Sequence, residues 1–287
     1  MTYLRSSASC QQVTVSIVSF SESRDQLKTT LRSVFVALKE AQRDFSLSSA
    51  RIILIDNRSK NMLDTEFLES FSSAPDYQGI ALSLIQGHGN IGYGRAQNMA
   101  LDEADEGYQI IMNPDVEVEP EAIRLGLAYL DANPTVGLIS PAAFDSCGNK
   151  QYLCKRYPTI FDLFVRAFFP SCLKSMFVKR LHHYEMRHLS ESTPSNSIPI
   201  ASGCFMFMRK SVFSKVGGFD PRFFLYFEDF DLSLRLRAFT QIAYVPEMKI
   251  THWGGNAAKK GASHFCMFVA SGIRFYNRHG WRWYQQN

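Results

Sequence analysis

The sequence lacks the cysteine spacings that mark disulfide-rich secreted domains and zinc fingers. Its six cysteines are scattered along 287 residues, and no two of them form a Cys-x-x-Cys pair. Because both classes of protein need cysteines at close and regular spacings, neither class fits this chain. Scattered cysteines suit a reducing compartment, so we predict a cytoplasmic location.

Long apolar runs, repeats and a secretory leader are also missing. No apolar run approaches the roughly 18 residues of a transmembrane helix, and residues 1–12 hold no apolar stretch of the signal-peptide type. The composition, 46% hydrophobic and 20% charged, is that of a soluble globular protein. The length allows one α/β domain with insertions or two small domains, and we favour a single domain over residues 1–287.

The formal net charge of +4 is unevenly distributed. Residues 150–188 hold eight lysine and arginine residues against two acidic ones, interleaved with Phe, Leu, Val and Met side chains. This pattern predicts a basic helical insertion over about residues 150–190. Its apolar face either packs on the core or contacts an anionic membrane, as interfacial helices do, and the sequence leaves both open. We expect no nucleic-acid partner.

Strand patterns and helix patterns alternate in the first half of the chain. Apolar strands are predicted at 13–20, 51–56, 81–85 and 108–112, with helical segments between them. The last of these helices is predicted to run from the glycine-rich loop at 87–94 through about residue 105. Such alternation predicts a mainly parallel sheet flanked by helices, with ligands at the carboxyl ends of the strands. Those ends are polar or contain glycine: Ser19-Phe20, Asp56-Asn57, Gly87 to Asn90, and Asn113 to Asp115.

The second half is less regular. Helices are predicted at 120–130, at 161–189, from Glu228 and at 262–277. Strands are predicted at 136–140, 198–208, 242–245 and 249–252. The strand at 198–208 is interrupted at Ser202-Gly203, and the helix at 262–277 ends the predicted fold.

Three carboxylates, Glu228, Asp229 and Asp231, follow an aromatic run and open a predicted amphipathic helix. Acids in a first helical turn stabilise it by roughly 0.3–1 kcal/mol each, because they face unpaired N–H groups and the positive end of the helix dipole. Beside aromatic side chains, however, a carboxylate loses solvation and its pKa rises toward that of a general base. This segment alone leaves a structural and a catalytic role open.

Asn113-Pro114-Asp115 ends the fourth predicted strand. The proline takes the chain out of the strand, so that Asp115 projects from the sheet edge. A carboxylate there suits a divalent cation that is also bound by phosphate oxygens and water, although the same tripeptide is a common turn and N-cap sequence. His252, at the end of a later strand, is a second candidate ligand, while single histidines are more often structural.

The glycine-rich loop at 87–94 differs from the dinucleotide-binding fingerprint. That fingerprint, Gly-x-Gly-x-x-Gly, follows the first strand, whereas this loop follows the third. Asp56, at the end of the second strand, keeps a dinucleotide enzyme as an alternative. The loop supplies backbone N–H groups, together with Asn90, Arg95 and Asn98, for an anionic ligand.

The order of these motifs resembles a known family. The order is Ser19-Phe20, Asp56-Asn57, Gly89 through Asn98, Asn113-Pro114-Asp115, Ser202-Gly203, Gly217 through Arg235, and His252. Over about residues 13–280 the chain resembles the family 2 glycosyltransferases of GT-A fold. Among these it is most similar to the bacterial rhamnosyltransferases of cell-surface polysaccharide assembly. The resemblance implies a GT-A, Rossmann-like α/β fold with a nucleotide-sugar half at 13–118 and an acceptor-binding and catalytic half at 119–287.

The resemblance also implies roles for individual residues. Asp229 is expected to be the base of an inverting transferase, with Glu228 beside it, and Asp115 and His252 are expected to bind Mg²⁺ or Mn²⁺ on the donor diphosphate. Asn113 stands where the family has the first Asp of its Asp-x-Asp motif, which leaves Asp115 as the main anchor. The residues implied in donor binding are Ser19, Phe20, Asp56, Asn57, Asn90, Gly92, Arg95, Asn98, Asn113, Ser202 and Gly203.

We therefore expect an inverting, metal-dependent enzyme that transfers L-rhamnose from dTDP-L-rhamnose. The expected acceptor is a cell-surface polysaccharide or lipid-linked glycan, reached at the inner face of the cytoplasmic membrane. The same motifs fit a UDP-sugar-dependent galactofuranosyl- or N-acetylglucosaminyltransferase. A non-catalytic subunit that binds a nucleotide sugar is a further alternative, which the joint presence of Asp115, Glu228, Asp229 and His252 disfavours.

Overall fold

The computed structural model of this chain describes residues 11–44, 47–58, 63–72, 78–101, 107–254 and 261–284. The strands in these ranges are β1 (Gln11–Ser19), β2 (Leu47–Asp56), β3 (Ile80–Ile85), β4 (Tyr108–Met112), β5 (Val116–Val118), β6 (Val136–Phe144), β7 (Lys150–Gln151), β8 (Cys154–Lys155), β9 (Ile200–Ala201), β10 (Phe205–Arg209) and β11 (Gln241–His252). The helices are α1 (Arg24–Asp44), α2 (Thr65–Ser72), α3 (Tyr93–Asn98), α4 (Ala122–Ala132), α5 (Ile160–Phe168), α6 (Ser171–Lys174), α7 (Val178–Tyr184), α8 (Lys210–Lys215), α9 (Glu228–Leu236) and α10 (Ala262–His279), with a 3₁₀ turn at Ser175–Phe177.

Nine of the described strands form one sheet. Eight lie side by side in the order β3-β2-β1-β4-β10-β6-β11-β5, and β7 pairs with β6. The pairs β2–β3, β1–β2, β1–β4 and β6–β11 are parallel, whereas β10 runs antiparallel between β4 and β6, and β5 runs antiparallel to β11. The predicted α/β fold with a mixed, mainly parallel sheet is confirmed.

Helices cover both faces of this sheet. Successive side chains of a strand point to opposite faces, and in β4 they enter two separate cores. Ile110 packs in the core that contains Leu31 of α1, whereas Ile111 packs in the core that contains Leu232 and Leu236 of α9. The apolar run of β4 is therefore buried on both sides, as the continuous hydrophobic pattern predicts.

The topology brings several strand ends to one edge of the sheet. The parallel strands β1, β2 and β4 end there, and β10 begins there because it runs the other way. The Asn113 N–H donates to the Cys204 carbonyl at 2.9 Å, which joins the end of β4 to the start of β10. The end of β11 reaches the same place, because His252 pairs with Val116 of β5.

Several predicted element boundaries were wrong. The helix predicted at 161–189 is divided into α5, α6 and α7, because Pro170 disfavours a helical conformation at Phe169, which is extended. The basic segment also begins with β7 and β8, so its helices start only at Ile160. The strands predicted at 242–245 and 249–252 form one strand, β11, with an irregularity between Val245 and Lys249.

The helix predicted after the glycine-rich loop, through about residue 105, is also shorter than expected. In the described part of the chain it ends at Asn98, and residues 102–106 lie outside the described ranges.

Candidate active site

The ends of β1 and β2 are tied to each other and to the glycine-rich loop. The Asn57 N–H donates to the Ser19 carbonyl at 2.8 Å. The Asn57 side chain continues into the loop, since its Nδ2 donates to Asn90 Oδ1 at 3.2 Å and its Oδ1 accepts from the Ile91 N–H at 3.2 Å. Three residues of the predicted donor-binding set, Ser19, Asn57 and Asn90, therefore lie together at the sheet edge.

Asp56 and Phe20 have different surroundings at this edge. Asp56 is fully buried, and its carboxylate accepts from Arg58 Nε at 2.7 Å and from the Leu63 N–H at 2.8 Å. These bonds hold Arg58 and Leu63 at the end of β2. Phe20, in contrast, is half-exposed beyond the end of β1 and can stack on a flat ligand.

Gly92 allows the glycine-rich loop to touch the segment that leads into α9. Its φ of +89° lies in the region that favours glycine, and a Cβ at this position would lie 2.4 Å from the Phe224 carbonyl oxygen. The same carbonyl accepts from the Tyr93 N–H at 3.0 Å. Replacing Gly92 by a larger residue would therefore separate the predicted donor loop from the acidic cluster.

Asn98 and Arg95 bind the backbone that precedes the acidic cluster. Asn98 Nδ2 donates to the Phe219 carbonyl at 2.8 Å, and its Oδ1 accepts from the Phe219 N–H at 2.9 Å. Arg95 Nε donates to the Pro221 carbonyl at 2.5 Å. In this structure both side chains thus brace protein backbone, and their contact with a donor stays a prediction.

Asp115 and His252 form the candidate metal pair. The His252 Nε2 atom lies 3.6 Å from Asp115 Oδ1, and both side chains are partly exposed. The Trp253 N–H donates to the Asp115 carbonyl at 2.9 Å, which fixes the two segments against each other. The structure therefore brings together two residues that are far apart in the sequence and that the motifs assign to one site.

Gln151 orients His252, a contact that the sequence did not suggest. The Gln151 Nε2 donates to the His252 carbonyl at 3.1 Å, so that its Oε1 faces the ring and accepts from Nδ1 at 2.7 Å. With Nδ1 as the donor, Nε2 carries a lone pair and points toward the Asp115 carboxylate. Two acceptors that face each other fit a cation between them.

The space beside this pair also fits a cation. A Cβ on Gly254 would lie 2.5 Å from His252 Nε2 and 2.9 Å from Asp115 Oδ2, so glycine keeps that space open. Among the described residues, no three His, Cys, Asp or Glu side chains converge as a complete metal cage. A divalent cation held here would therefore take its remaining ligands from phosphate oxygens and water, as Mg²⁺ commonly does.

A strained turn directly precedes the acidic cluster. Tyr226 and Phe227 have φ values of +69° and +62°, a region that residues other than glycine rarely adopt. The Phe227 ring packs on Phe268 and Phe275, with centroids 5.1 Å and 5.2 Å away, and this packing holds the turn. Strain of this type, of order 1–3 kcal/mol per residue, is often found at functional sites.

Asp229 is partly exposed, and backbone donors hold its carboxylate. Its Oδ2 accepts from the Gly203 N–H at 2.9 Å and its Oδ1 from the Phe230 N–H at 2.9 Å. Tyr93 fixes the other side of this link, because its hydroxyl donates to the Gly203 carbonyl at 2.8 Å. In the same segment, Ser202 Oγ accepts from the Cys204 N–H at 3.3 Å.

Glu228 is buried beside Asp229. Within the described chain its Oε2 has no hydrogen-bond partner. Burial, and next the neighbouring Asp229 carboxylate, raise the pKa of Glu228 well above its ordinary value. Burial also raises the pKa of Asp229, while the Gly203 and Phe230 N–H groups oppose that rise. A proton shared by this pair is therefore held mainly by Glu228, which is buried and whose pKa is raised to about 8.

Asp231, the third acid of the cluster, ties α9 to α10. Its buried carboxylate accepts from Arg235 Nε at 2.7 Å and lies 2.9 Å from His279 Nε2 and 3.0 Å from Arg278 Nη1. Asp231 therefore has a structural role, and the reactive carboxylate candidates are the other two.

Comparisons with known sequences identify similar proteins. A family model described as "Glycosyl transferase family 2" matches residues 14–217. A Mycobacterium tuberculosis protein named N-acetylglucosaminyl-diphospho-decaprenol L-rhamnosyltransferase is 28% identical over 209 residues, which are 67% of this chain and 66% of that protein. Rhamnosyltransferase WbbL of Escherichia coli is 28% identical over 185 residues, 60% of this chain and 64% of WbbL. The matches thus span just under two thirds of these relatives.

Solved structures show the same fold. A crystal structure of GalNAc-T7 with UDP, GalNAc and Mn²⁺ matches with a TM-score of 0.63 at 17% identity, covering 93% of this chain and 48% of the other. Mannosyltransferase PcManGT of Pyrobaculum calidifontis, in complex with GDP-Man and Mn²⁺, matches with a TM-score of 0.57 at 18% identity, covering 91% of this chain and 64% of the other. The predicted GT-A fold is confirmed.

Proposed function

Because this chain belongs to glycosyl transferase family 2, we propose that it is an inverting glycosyltransferase that uses a nucleotide-diphosphate sugar. One observation supports this most directly. Asp229 binds Gly203, the next residue Cys204 binds Asn113, and Asp115 pairs with His252, so that the two acidic centres share one sheet edge. A transferase needs a base at the acceptor hydroxyl and a cation at the departing diphosphate, and these are the groups present.

Asp229 is the proposed base. The acceptor hydroxyl oxygen attacks the anomeric carbon from the face opposite the diphosphate, and its proton passes to the Asp229 carboxylate. The bond between that carbon and the diphosphate oxygen breaks, its electron pair stays on the oxygen, and the configuration inverts. Glu228 remains protonated, so no second negative charge lies beside the attacking oxygen.

Asp115 and His252 are the proposed ligands of Mg²⁺ or Mn²⁺. When bound, the cation supplies positive charge that stabilises the leaving diphosphate. Gln151 keeps the His252 Nε2 lone pair directed at the site, and Gly254 keeps the adjoining space open. Both solved structures described above contain Mn²⁺, which supports a divalent cation.

The proposed donor is dTDP-L-rhamnose, because both sequence relatives are named as rhamnosyltransferases. We propose that residues 1–287 form one domain, with donor binding in 13–118 and acceptor binding and catalysis in 119–287. In this proposal Phe20 and Asp56 flank the nucleobase, and Asn90 and Arg95 lie beside the phosphates. A UDP-sugar is a second candidate donor, since the GalNAc-T7 structure contains UDP.

The proposed acceptor is a lipid-linked glycan. The mycobacterial relative is named for N-acetylglucosaminyl-diphospho-decaprenol, a sugar on a polyprenyl diphosphate. No helix in the described ranges has the length and apolar character to cross a bilayer. We propose a cytoplasmic protein that meets its acceptor at the inner membrane face through the basic segment at 150–190.

Two assays test this function. Purified protein is incubated with dTDP-L-rhamnose, Mn²⁺ or Mg²⁺, and N-acetylglucosaminyl-diphospho-decaprenol, and mass spectrometry is expected to show one added deoxyhexose. A thermal-shift series with dTDP, UDP and GDP in Mn²⁺ is expected to show the largest rise in Tm with dTDP. A larger rise with UDP would assign a UDP-sugar donor. Nucleotide binding without consumption of any donor would indicate a non-catalytic subunit.

A further inference from the structure

An open apolar groove lies between α5, the strained turn before α9, and α10. We call it the α10 groove; its volume is about 590 Å³, within the usual range of small-molecule sites. Its walls include Leu163 and Phe164 of α5, Phe268 and Ile273 of α10, and Trp283 beyond α10. Apolar atoms dominate the lining, so the α10 groove suits a hydrocarbon.

One helix face in the α10 groove is exposed where it is normally covered. Phe265, Val269 and Ile273 recur at a spacing of four along α10, and their exposures are 53%, 40% and 47%. A stripe at that spacing usually packs on a core. Contiguous exposed apolar surface of this kind, here joined by Phe164 and Trp283, marks a binding surface.

The lining offers few hydrogen bonds to a peptide. Its polar side chains include Tyr226 and His264, and they bond each other, with the Tyr226 hydroxyl 3.0 Å from His264 Nδ1. A peptide in the α10 groove would leave backbone N–H and C=O groups without partners, which is unfavourable. A plain hydrocarbon chain has no such requirement.

Two residues that line the α10 groove adjoin the candidate base in the sequence. Tyr226 and Phe227 directly precede Glu228 and Asp229. Consecutive Cα atoms are about 3.8 Å apart, so the Cα atoms of Tyr226 and Asp229 lie within about 11 Å of each other.

A cationic cluster lies at the Tyr184 ring. Arg166, on the same helix as Leu163, lies 5.4 Å from the centre of the Tyr184 ring, and Lys155 Nζ lies 5.9 Å from it. Burial and the charge of Arg166 lower the pKa of Lys155 to about 8, and Lys155 in turn opposes the rise in the Asp229 pKa. Glu185 lies 4.0 Å from Arg166 and 2.6 Å from Arg187, and the charge of Lys155 also acts on it, so one carboxylate faces three cations. An anionic head group would complement this excess of positive charge.

We propose that the α10 groove binds the isoprenoid chain of a polyprenyl-diphosphate-linked acceptor, whose diphosphate lies at Lys155 and Arg166 and whose terminal sugar hydroxyl reaches Asp229. This proposal rests on the proposed function, since it names the acceptor of the same site. The apolar groove, the cationic cluster and the Asp229 carboxylate offer one surface for each group of such a molecule: the chain, the diphosphate and the sugar hydroxyl.

Tryptophan fluorescence tests binding without catalysis, because Trp281 and Trp283 both line the α10 groove. The probe is farnesyl diphosphate in EDTA, with inorganic diphosphate as the head-group comparator. Farnesyl diphosphate is expected to change the fluorescence and to bind at least tenfold more tightly than inorganic diphosphate. Val269→Asp is expected to remove that tenfold difference. The matched control Val36→Asp, at a helical valine with 46% exposure on α1, is expected to retain it.

Other outcomes would overturn the proposal. Equal affinity for the two probes, or equal loss in both variants, would show that the α10 groove does not select the chain. Neutral phosphatidylcholine vesicles that bind through Val269 and displace farnesyl diphosphate would assign the groove to bilayer lipid instead.

A second readout separates this proposal from the proposed function. Transfer is measured with N-acetylglucosaminyl diphosphate carrying either a farnesyl or a methyl group. The KM for the methyl compound is expected to exceed that for the farnesyl compound at least tenfold, and Val269→Asp is expected to bring the ratio toward one. Transfer with equal KM values would refute the α10 groove and leave the transferase standing. If farnesyl diphosphate binds in a way that depends on Val269 but no sugar is transferred, the proposed acceptor is wrong. The α10 groove would then still be a binding site for an isoprenoid chain.

Discussion

Asp229 and Glu228 are adjacent carboxyl groups with different surroundings. Asp229 is partly exposed and receives two backbone N–H groups, while Glu228 is buried and, in the described chain, its Oε2 has no partner. Two neighbouring carboxylates do not ionise together in a buried site, and the two N–H groups at Asp229 favour its ionised form, so the proton is expected on Glu228. The surroundings therefore make Asp229, rather than Glu228, the available base.

Asp229→Asn tests this assignment. The amide cannot accept the hydroxyl proton, and loss of a general base typically lowers turnover by about 10²–10⁴-fold. We expect kcat to fall by that amount, while dTDP affinity in Mn²⁺, measured by calorimetry, stays within about twofold. Glu228→Gln is the matched control, because an amide replaces a carboxyl group that is already neutral, and it is expected to retain most of the activity. Normal turnover by Asp229→Asn would assign the base to another residue.

Gly254 gives a second test at the scale of one residue. Its backbone can accept alanine, but the added Cβ would crowd His252 Nε2 at 2.5 Å and Asp115 Oδ2 at 2.9 Å. We expect Gly254→Ala to weaken Mn²⁺ binding in the presence of dTDP by at least about tenfold, as seen when metal-site surroundings are disturbed. Electron paramagnetic resonance of free Mn²⁺ measures this directly.

Gly261→Ala is the control for Gly254→Ala, because no atom of the described residues lies within 4 Å of a Cβ there. It is expected to bind Mn²⁺ as the unmodified protein does. If both variants bind Mn²⁺ normally, the cation does not lie between Asp115 and His252.

The strands and helices show what the sequence could predict. β1, β2 and β4 are short segments rich in apolar side chains that are buried on both faces, and their composition and length identify them without tertiary information. The contact between Gln151 and His252 could not be predicted in this way. The two residues are 101 positions apart, and the pairing of β7 with β6 places Gln151 near His252. The stripe on α10 was equally hidden, since an exposed apolar stripe and a core stripe have the same spacing.

The contact between α9 and α10 supports a prediction on stability. Burial works to raise the pKa of Asp231, but the hydrogen bond from His279 and the charge of Arg235 outweigh it and lower the pKa. Asp231→Asn leaves the largely buried Arg235 guanidinium without its carboxylate partner, so the free energy of unfolding is expected to fall by about 3 kcal/mol at pH 7. Urea unfolding measures this fall. The control is Asp25→Asn at an exposed position, which is expected to change the free energy of unfolding by less than about 0.5 kcal/mol.

The same contact fixes the pH dependence of that difference. A carboxyl group whose pKa is lower in the folded state stabilises the fold above its unfolded pKa, and this stabilisation disappears as the pH falls through the folded pKa. The gap between the unmodified protein and Asp231→Asn is therefore expected at pH 7 and is expected to shrink below about pH 4. If the difference in the free energy of unfolding is the same at pH 7 and below about pH 4, the charge of Asp231 does not stabilise the contact.

At the scale of the whole molecule, positive charge and exposed apolar side chains coincide in the basic segment. Around α6 and α7, Leu173, Met176 and Val178 are 43%, 75% and 42% exposed. Lys174 directly follows Leu173, and Lys179 directly follows Val178. Such a combination binds anionic bilayers by partial insertion and by charge. The α10 groove shares α5 with this segment, so membrane contact here would bring the groove close to lipid-linked acceptors.

Vesicle sedimentation tests membrane contact. The protein is expected to sediment with vesicles of phosphatidylcholine and phosphatidylglycerol at low salt, and to be released as salt shortens the Debye length to about 10 Å near 0.1 M. Each lysine near an anionic surface contributes about 1 kcal/mol, so Lys174→Glu with Lys179→Glu is expected to weaken binding by at least about tenfold. Lys28→Glu with Lys215→Glu makes the same change in net charge on α1 and α8, and is expected to bind nearly as the unmodified protein does. Equal losses in the two double variants would show that net charge alone drives binding, and no sedimentation at low salt would remove membrane contact from the proposed function.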